Sequence, residues 1–201
     1  IIFNDYQNTL ITGPPGSGKT FTVNNLITYF KDNYIEFAAT ASTGIASTLF
    51  NGVTINSWSG INIFKKKYCG DKNITNKYYL RRVKKNYFAV KRIMNVEYLI
   101  IDEVSLISDK FLECLEYVCR KLISHGESVN DNPFGGIKTI IVGDFYQLPP
   151  VQDNYCFESK IFSKIYHHTI LLNKNYRVKD SGVFRDLLVN IRENIKLTIS
   201  K

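Results

Sequence analysis

Gly13-Pro14-Pro15-Gly16-Ser17-Gly18-Lys19-Thr20 is a complete phosphate-binding loop, and the residues on either side of it decide the fold. Asn8-Thr9-Leu10-Ile11-Thr12 has the β-branched, apolar character of a short buried strand. Thr20 to Tyr29 carries Phe21, Val23, Leu26 and Ile27 with no Pro or Gly, which predicts a helix. The loop spans Gly13, Pro14, Pro15, Gly16, Ser17, Gly18, Lys19 and Thr20; its glycines let the chain turn tightly, so that the N–H groups of its non-proline residues face one concavity suited to phosphate oxygens. The helix start adds its positive dipole end. Lys19 is the residue that reaches β- and γ-phosphates, and the Thr20 hydroxyl is the magnesium ligand. The chain is read as binding a nucleoside triphosphate with Mg2+.

At 201 residues and 44% hydrophobic content, one domain of moderate size is expected, large enough to bury a real core. No apolar run reaches membrane-spanning length and no signal-peptide pattern opens the chain, so a soluble intracellular protein without a membrane partner is expected. Its compartment would be nucleus or mitochondrion in a eukaryote and cytoplasm in a virus or bacterium; abundant Asn, Ile, Lys and Tyr fit AT-rich codon usage. Cys69, Cys114, Cys119 and Cys156 form no Cys-x-x-Cys pair and read as unpaired thiols. His125, His167 and His168 read as ordinary packing or surface residues.

Apolar runs alternate with amphipathic stretches, the pattern of an α/β fold with a mainly parallel sheet flanked by helices. Strands are expected at 8–12, 34–39, 96–101, 138–142 and 169–172. Helices are expected at 19–31, 44–50, 78–93, 109–124 and 183–193. Phe111, Leu112, Leu115, Cys119 and Leu122 in the fourth helix, and Val183, Phe184, Leu187, Leu188 and Ile191 in the last, are spaced as core-facing stripes.

The strand Val96-Glu97-Tyr98-Leu99-Ile100-Ile101 runs into Asp102-Glu103, which places two carboxylates at the carboxyl edge of a parallel sheet, where α/β folds bind ligands. Downstream of a phosphate loop, the first acid, Asp102, is placed to hold magnesium with Thr20, and Glu103 to polarise the attacking water. Ile140-Ile141-Val142-Gly143-Asp144-Phe145-Tyr146-Gln147 is a second buried strand delivering polar groups to the same edge. Gln147 can hydrogen-bond a γ-phosphate and the attacking water, and Pro149-Pro150 ends the element rigidly.

The net charge of +8 is unevenly spread. Between Asn62 and Met94 stand eleven basic residues against the single acid Asp71, so the remainder of the chain is slightly acidic. Tyr68, Tyr78, Tyr79 and Tyr87 are interleaved with these cations. Such a run is either a solvated face or a groove for single-stranded nucleic acid, with cations on phosphates and rings under bases. The 62–77 part reads as an insertion outside the main sheet.

Taken together, these segments resemble the Pif-type, RecD-related DNA helicases of superfamily one, over essentially the whole chain. Gly13–Thr20 is similar to the first motif, and Ala39-Thr40-Ala41-Ser42-Thr43-Gly44-Ile45-Ala46 to the next block. Asn51-Gly52-Val53-Thr54-Ile55-Asn56-Ser57-Trp58 resembles the family's Gly-x-Thr-Ile-His-Ser-Phe segment. Ile101–Leu106, Gly143–Val151 with Phe134-Gly135-Gly136 before it, and Leu172-Asn173-Lys174-Asn175-Tyr176-Arg177 follow in the family's order. Asn56 replaces the usual His, Trp58 the usual Phe, and Leu106 a common Met.

The resemblance implies a RecA-like P-loop NTPase domain over residues 1–172 with a small basic, DNA-contacting insertion at about 62–95. Residues 173–201 would form the hinge and the start of a second RecA-like domain, whose remaining motifs are expected beyond Lys201. It implies ATP-dependent, 5′-to-3′ DNA unwinding, in the service of DNA repair, recombination and telomere maintenance. Arg177 would be an arginine finger on the γ-phosphate, completing the catalytic set of Lys19, Glu103, Gln147 and Arg177. Thr43, Ser57 and Trp58 would lie along single-stranded DNA, forked or structured DNA included, and the basic Lys65, Lys66 and Lys67 with them. The upstream adenine-reading segment is not matched, since Gln7 lies too close to the loop.

Two other classes stay open on sequence: a nucleotide-dependent nucleic-acid-binding module that does not unwind, and a small-molecule kinase. Against the kinase, no lid-like Arg cluster is evident, and Asp102-Glu103 suits water activation. The basic run yields a first test. Neutralising Lys65, Lys66 and Lys67 together should weaken single-stranded DNA binding and lower its salt slope by up to about 0.7 for each phosphate no longer neutralised. ATP affinity should stay as it was; unchanged DNA binding in a salt titration would make the run a solvated face.

Overall fold

The computed structural model describes residues 8–61, 72–124, 132–174 and 176, with side chains of 72–74 left aside. Six strands among them form one fully parallel sheet: β1 (Thr9–Thr12), β2 (Phe37–Ala41), β3 (Val53–Thr54), β4 (Tyr98–Asp102), β5 (Lys138–Gly143) and β6 (His168–Leu171), in the order β3-β2-β4-β5-β1-β6. Seven helices accompany them: α1 (Lys19–Asp32), α2 (Gly44–Thr48), α3 (Ile55–Ser59), α4 (Lys72–Lys84), α5 (Tyr87–Asn95), α6 (Asp109–Ile123) and α7 (Phe162–Ile165).

Side chains leave successive strand residues on opposite faces, and both faces here are covered. Leu99 and Ile101 of β4, Ile141 of β5 and Leu10 of β1 join one core with Val83 of α4, Ile93 of α5 and Leu112 and Leu115 of α6. Ile100, Ile140, Val142 and Ile11 join a second core with Val23, Leu26, Ile27 and Phe30 of α1 and Ala46 of α2. Strands buried on both faces read as unbroken apolar runs, which is why the expected strands were visible without alternation.

Boundaries differ where local chemistry intervenes. The strand expected at 34–39 starts at Phe37, because the end of α1 takes its first residues: Tyr34 adopts φ 55° and Ile35 N–H donates to the Phe30 carbonyl at 2.9 Å. The helix expected at 78–93 is two helices. Asn86 closes α4 by donating its N–H to the Val83 carbonyl and opens α5 by accepting the Ala89 N–H on its side chain, an N-cap role that Asn fills well. The two-residue β3, the short α3 and α7 had no periodic signal long enough to read. The helix expected at 183–193 lies outside the described residues.

Within the basic stretch, α4 and α5 bury Tyr79, Val83, Ala89 and Ile93 in the first core and present Lys77, Arg81, Arg82, Lys84, Lys85, Lys91 and Arg92 to solvent. Of the interleaved rings, Tyr79 is core and Tyr87 is exposed. The α6 stripe faces inward as expected, and burial pushes the Cys114 and Cys156 thiols up to about 12 and Cys119 further still. Cys69 and His125 lie outside the described residues. No helix among the described residues is long and apolar enough to cross a membrane.

The second core closes on Phe30, whose ring centroid is 4.6 Å from Tyr98 and 5.5 Å from Phe37. Phe30→Ala should cost about 3–5 kcal/mol of stability, read as a lower midpoint in denaturant unfolding at unchanged slope.

Candidate nucleotide site and an adjoining groove

Parallel strands deliver their carboxyl ends to one edge, in the lateral order β2, β4, β5, β1, β6. The phosphate loop leaves β1 there. Gly13 is a position only glycine can fill, because a Cβ would lie 2.2 Å from the Leu172 carbonyl oxygen, and the Leu172 N–H donates to the Thr12 carbonyl at 2.8 Å. Gly18 caps α1 at φ 92° with no side chain closing the helix start. The first-turn N–H groups and the dipole end of a 14-residue helix therefore remain directed at the loop. Lys19 Nζ donates to the Gly13 and Pro14 carbonyls at 2.8 and 3.1 Å, which lays its ammonium across the loop. Ser17 Oγ is buried and pairs with no group among the described residues. A buried hydroxyl without a partner is costly, and this one belongs to the phosphate loop itself.

Asp102 is the last residue of β4, in register with Ala41 of β2, and only 4% exposed. Burial pushes its carboxyl up to about 6, assisted by the neighbouring Glu103 charge; the Glu103 N–H, donating to Asp102 Oδ1 at 2.8 Å, and the Lys19 ammonium pull the other way. A carboxylate held this dry would be relieved by a cation beside it. Magnesium held by Asp102 and Thr20, with phosphate on the loop, would fit the buried Ser17 hydroxyl, the open helix start and the buried carboxylate alike.

Glu103 sits at φ 56°, ψ 44°, a left-handed conformation that costs a non-glycine residue of order 1 kcal/mol or more. That twist turns it into a cleft of about 550 Å³ shared with Lys19, Thr20, Gln147 and Tyr176. Gln147 is half-buried, held by a turn in which its N–H donates to the Asp144 carbonyl at 3.0 Å. Tyr176 was missed as a lining residue; its N–H donates to the Gly16 carbonyl at 2.9 Å. The structure therefore gathers Gly13–Thr20, Asp102, Glu103 and Gln147 at one edge. Arg177 lies outside the described residues, as do Lys65, Lys66 and Lys67.

Next to the cleft runs a groove of about 400 Å³ lined by Ser42, Thr43, Asn56, Leu106, Phe111 and Val151 among others. Thr43 is half-buried, and its hydroxyl accepts the Ala46 N–H at 3.2 Å as the cap of α2. Ser57 is exposed on α3, and its carbonyl accepts from Arg92 at 2.8 Å. Trp58 is a correction: at 3% exposure it packs in the first core with Ile55 and Ile61, so its indole offers no free face for a base to stack on. Ile55 and Trp58 are three residues apart on α3 and share its inward side. Asn56 borders the groove and donates from Nδ2 to the Ile61 carbonyl at 2.9 Å, so the residue standing in place of the usual His ties down the loop after α3.

A parallel sheet with a phosphate loop after an inner strand, and a buried Asp followed by a half-buried Glu two strands away on the same edge, is the RecA-like class of P-loop NTPase domain. The family model for PIF1-like helicases matches residues 1–197, and the chain belongs to that family. It is 36% identical over 192 residues to a protein named ATP-dependent DNA helicase Pif1 from Psychrobacter sp., covering 92% of this chain and 27% of that one. It is 35% identical over 201 residues to ATP-dependent DNA helicase RRM3 from Saccharomyces cerevisiae, covering 96% and 26%. The chain thus spans about a quarter of the length of these relatives. Among solved structures, Pif1 helicase from Candida albicans superposes with a TM-score of 0.81 at 32% identity, covering 93% of this chain and 41% of that chain. Pif1 helicase from Bacteroides, crystallised with ADP-AlF3 and single-stranded DNA, gives 0.75 at 26% identity, with 96% and 44% covered.

The dry carboxylate has a measurable consequence. Because folding raises the Asp102 carboxyl from an ordinary 3.8 to about 6, the folded state holds that proton more tightly than the unfolded chain, and stability drains away as pH rises through this window. The difference is worth at most about 3 kcal/mol above the window. Asp102→Asn should therefore melt at a higher temperature than the parent at neutral pH without nucleotide, and the gain should vanish near pH 4. A variant no more stable at pH 7 would show that the carboxylate is not strained by burial.

Proposed function

We propose that this chain is the first motor domain of an ATP-dependent DNA helicase that tracks 5′ to 3′ on single-stranded DNA. The observation that carries this reading is the cleft itself. Glu103 and Gln147 face the same space as Lys19 and Thr20, which is a constellation for activating water against a bound γ-phosphate. The names of the relatives, and the Bacteroides structure holding ADP-AlF3 and single-stranded DNA, support nucleotide and DNA as the ligands.

In this reading the loop N–H groups and Lys19 bind the phosphates, and Thr20 and Asp102 hold Mg2+. That ion neutralises the charge on the phosphate oxygens when bound. Glu103 takes a proton from the attacking water, and Gln147 orients that water and senses the γ-phosphate. Arg177 supplies the finger; its chain neighbour Tyr176 is hydrogen-bonded to the phosphate loop. Residues 1–172 form the first RecA-like domain, with 62–95 as its basic DNA-contacting insertion and 173–201 leading into the second. ATP bound between the two domains would close and open the cleft, and the groove lined by Thr43 would hold the strand, with Ser57 and Lys65–Lys67 on phosphates. The exposed cations of α4 and α5 supply further positive charge for the strand's phosphates in this reading.

The test is Glu103→Gln in the full-length protein. ATP binding should persist, while turnover with saturating single-stranded DNA should fall by 10²-fold or more, about the contribution of a positioned general base. Turnover near that of the parent would remove Glu103 from its role, and phosphoryl transfer to a metabolite in place of water would remove the helicase reading.

A further inference from the structure

Ser42, Glu103 and Leu106 form a connection that the roles above leave unused. Ser42 follows β2 directly. Its N–H donates to the Asp102 carbonyl at 3.1 Å, which carries the β2–β4 ladder one step past the Ala41–Asp102 pair. Its hydroxyl donates to the Glu103 carbonyl at 2.6 Å, with the Asp102 carbonyl at 3.2 Å as a weaker second acceptor. The same Glu103 carbonyl accepts the Leu106 N–H at 3.2 Å, and the Glu103 N–H is taken by Asp102 Oδ1 at 2.8 Å. A left-handed glutamate persists only where its surroundings over-determine it, and these are the bonds that do so.

The placement of these groups matters as much as the bonds. Ser42, Thr43 and Leu106 line the groove, while Glu103 lines the nucleotide cleft. The Glu103 peptide is thus the wall between the two spaces, and the Ser42 hydroxyl grips it from the groove side. Ser42 does not line the nucleotide cleft, so an effect on hydrolysis passes through the Asp102-Glu103 backbone that it bonds, with the short hydroxyl bond on Glu103.

We propose that Ser42 is a positioning residue for hydrolysis: its hydroxyl holds the Glu103 backbone in the left-handed conformation that aims the carboxylate, and a strand seated in the groove acts on Glu103 through it. The inference rests on the helicase reading above. On this account the turn Ser42-Thr43 serves two neighbours. Thr43 caps α2 and faces the strand, and Ser42 reports its position to the carboxylate.

The experiment uses full-length protein with Ser42→Ala, Ser42→Cys and Ser42→Thr, measuring ATP turnover with and without saturating oligo-dT, the KM for ATP, and oligo-dT affinity. Ser42→Ala should lower DNA-stimulated kcat about tenfold, the loss expected when a general base is misaimed but still present. The KM for ATP and the oligo-dT Kd should stay within about twofold. Ser42→Thr, which keeps the hydroxyl, should restore stimulated kcat; Ser42→Cys, a weaker donor of similar size, should fall between and carries the test should the alanine variant not fold. Stimulated kcat unchanged in the alanine or cysteine variant overturns the proposal. So does a kcat loss matched by an equal loss of oligo-dT affinity, which would make Ser42 a strand contact, or one that follows only the loss of folded protein in thermal melts. Parent protein whose turnover ignores oligo-dT would instead bring down the helicase reading, a failure distinguishable from that of Ser42.

Discussion

Strands that all run one way must each be followed by a crossover, and each empties its carboxyl end onto the same edge. The site described here depends on that constraint. The phosphate loop, Ser42-Thr43, Asp102-Glu103 and Asp144–Gln147 belong to segments separated by dozens of residues, yet each begins where a strand stops. The two apolar cores pack the strands from both sides, which sets the positions of the groups along the edge. On such an edge a one-residue difference in strand length changes which group is presented. β4 runs through Asp102 and keeps that carboxylate buried in register with Ala41, while Glu103 breaks out of the strand with a positive φ. Two adjacent acids thereby acquire different surroundings and different chemistry.

The edge also carries stored cost. Ser17 leaves a buried hydroxyl unpaired among the described residues, Asp102 holds a carboxylate out of water, and Glu103 occupies a conformation that glycine would adopt more readily. Each departs from what a stability-driven sequence would choose, and all three lie around the phosphate loop. Concentrated local penalties of this kind are expected where binding a charged ligand relieves them. The bonds from the Ser42 hydroxyl and the Leu106 N–H to the Glu103 carbonyl hold one of these positions in place.

Much of this was legible in the linear chain. Fully buried parallel strands are continuous apolar runs, so Leu99-Ile100-Ile101 and Ile140-Ile141-Val142 could be recognised and the polar groups after them assigned to the edge. Short elements and ends were not legible. β3 has two residues and no pattern of its own, and the break at Asn86 depends on whether its amide caps a helix or faces solvent, a competition decided by where Val83 and Ala89 must pack. Trp58 is the clearest case of ambiguity: an indole beside a Ser and an Asn suits a base or a core equally, and only the inward side of α3 settled it.

The sequence by itself determined the kind of chemistry. Residue types at fixed spacing on one strand–loop–helix unit suffice to build a phosphate site, because its donors are backbone groups close together in the chain. Tertiary structure decided which groups share a space and which only share a neighbourhood. Tyr176 against Gly16, Leu172 against Gly13 and the Ser42 hydroxyl on the Glu103 carbonyl are contacts between segments far apart in sequence. Such contacts depend on strand order and register, and those follow from how both faces of the sheet are buried, which no local pattern encodes.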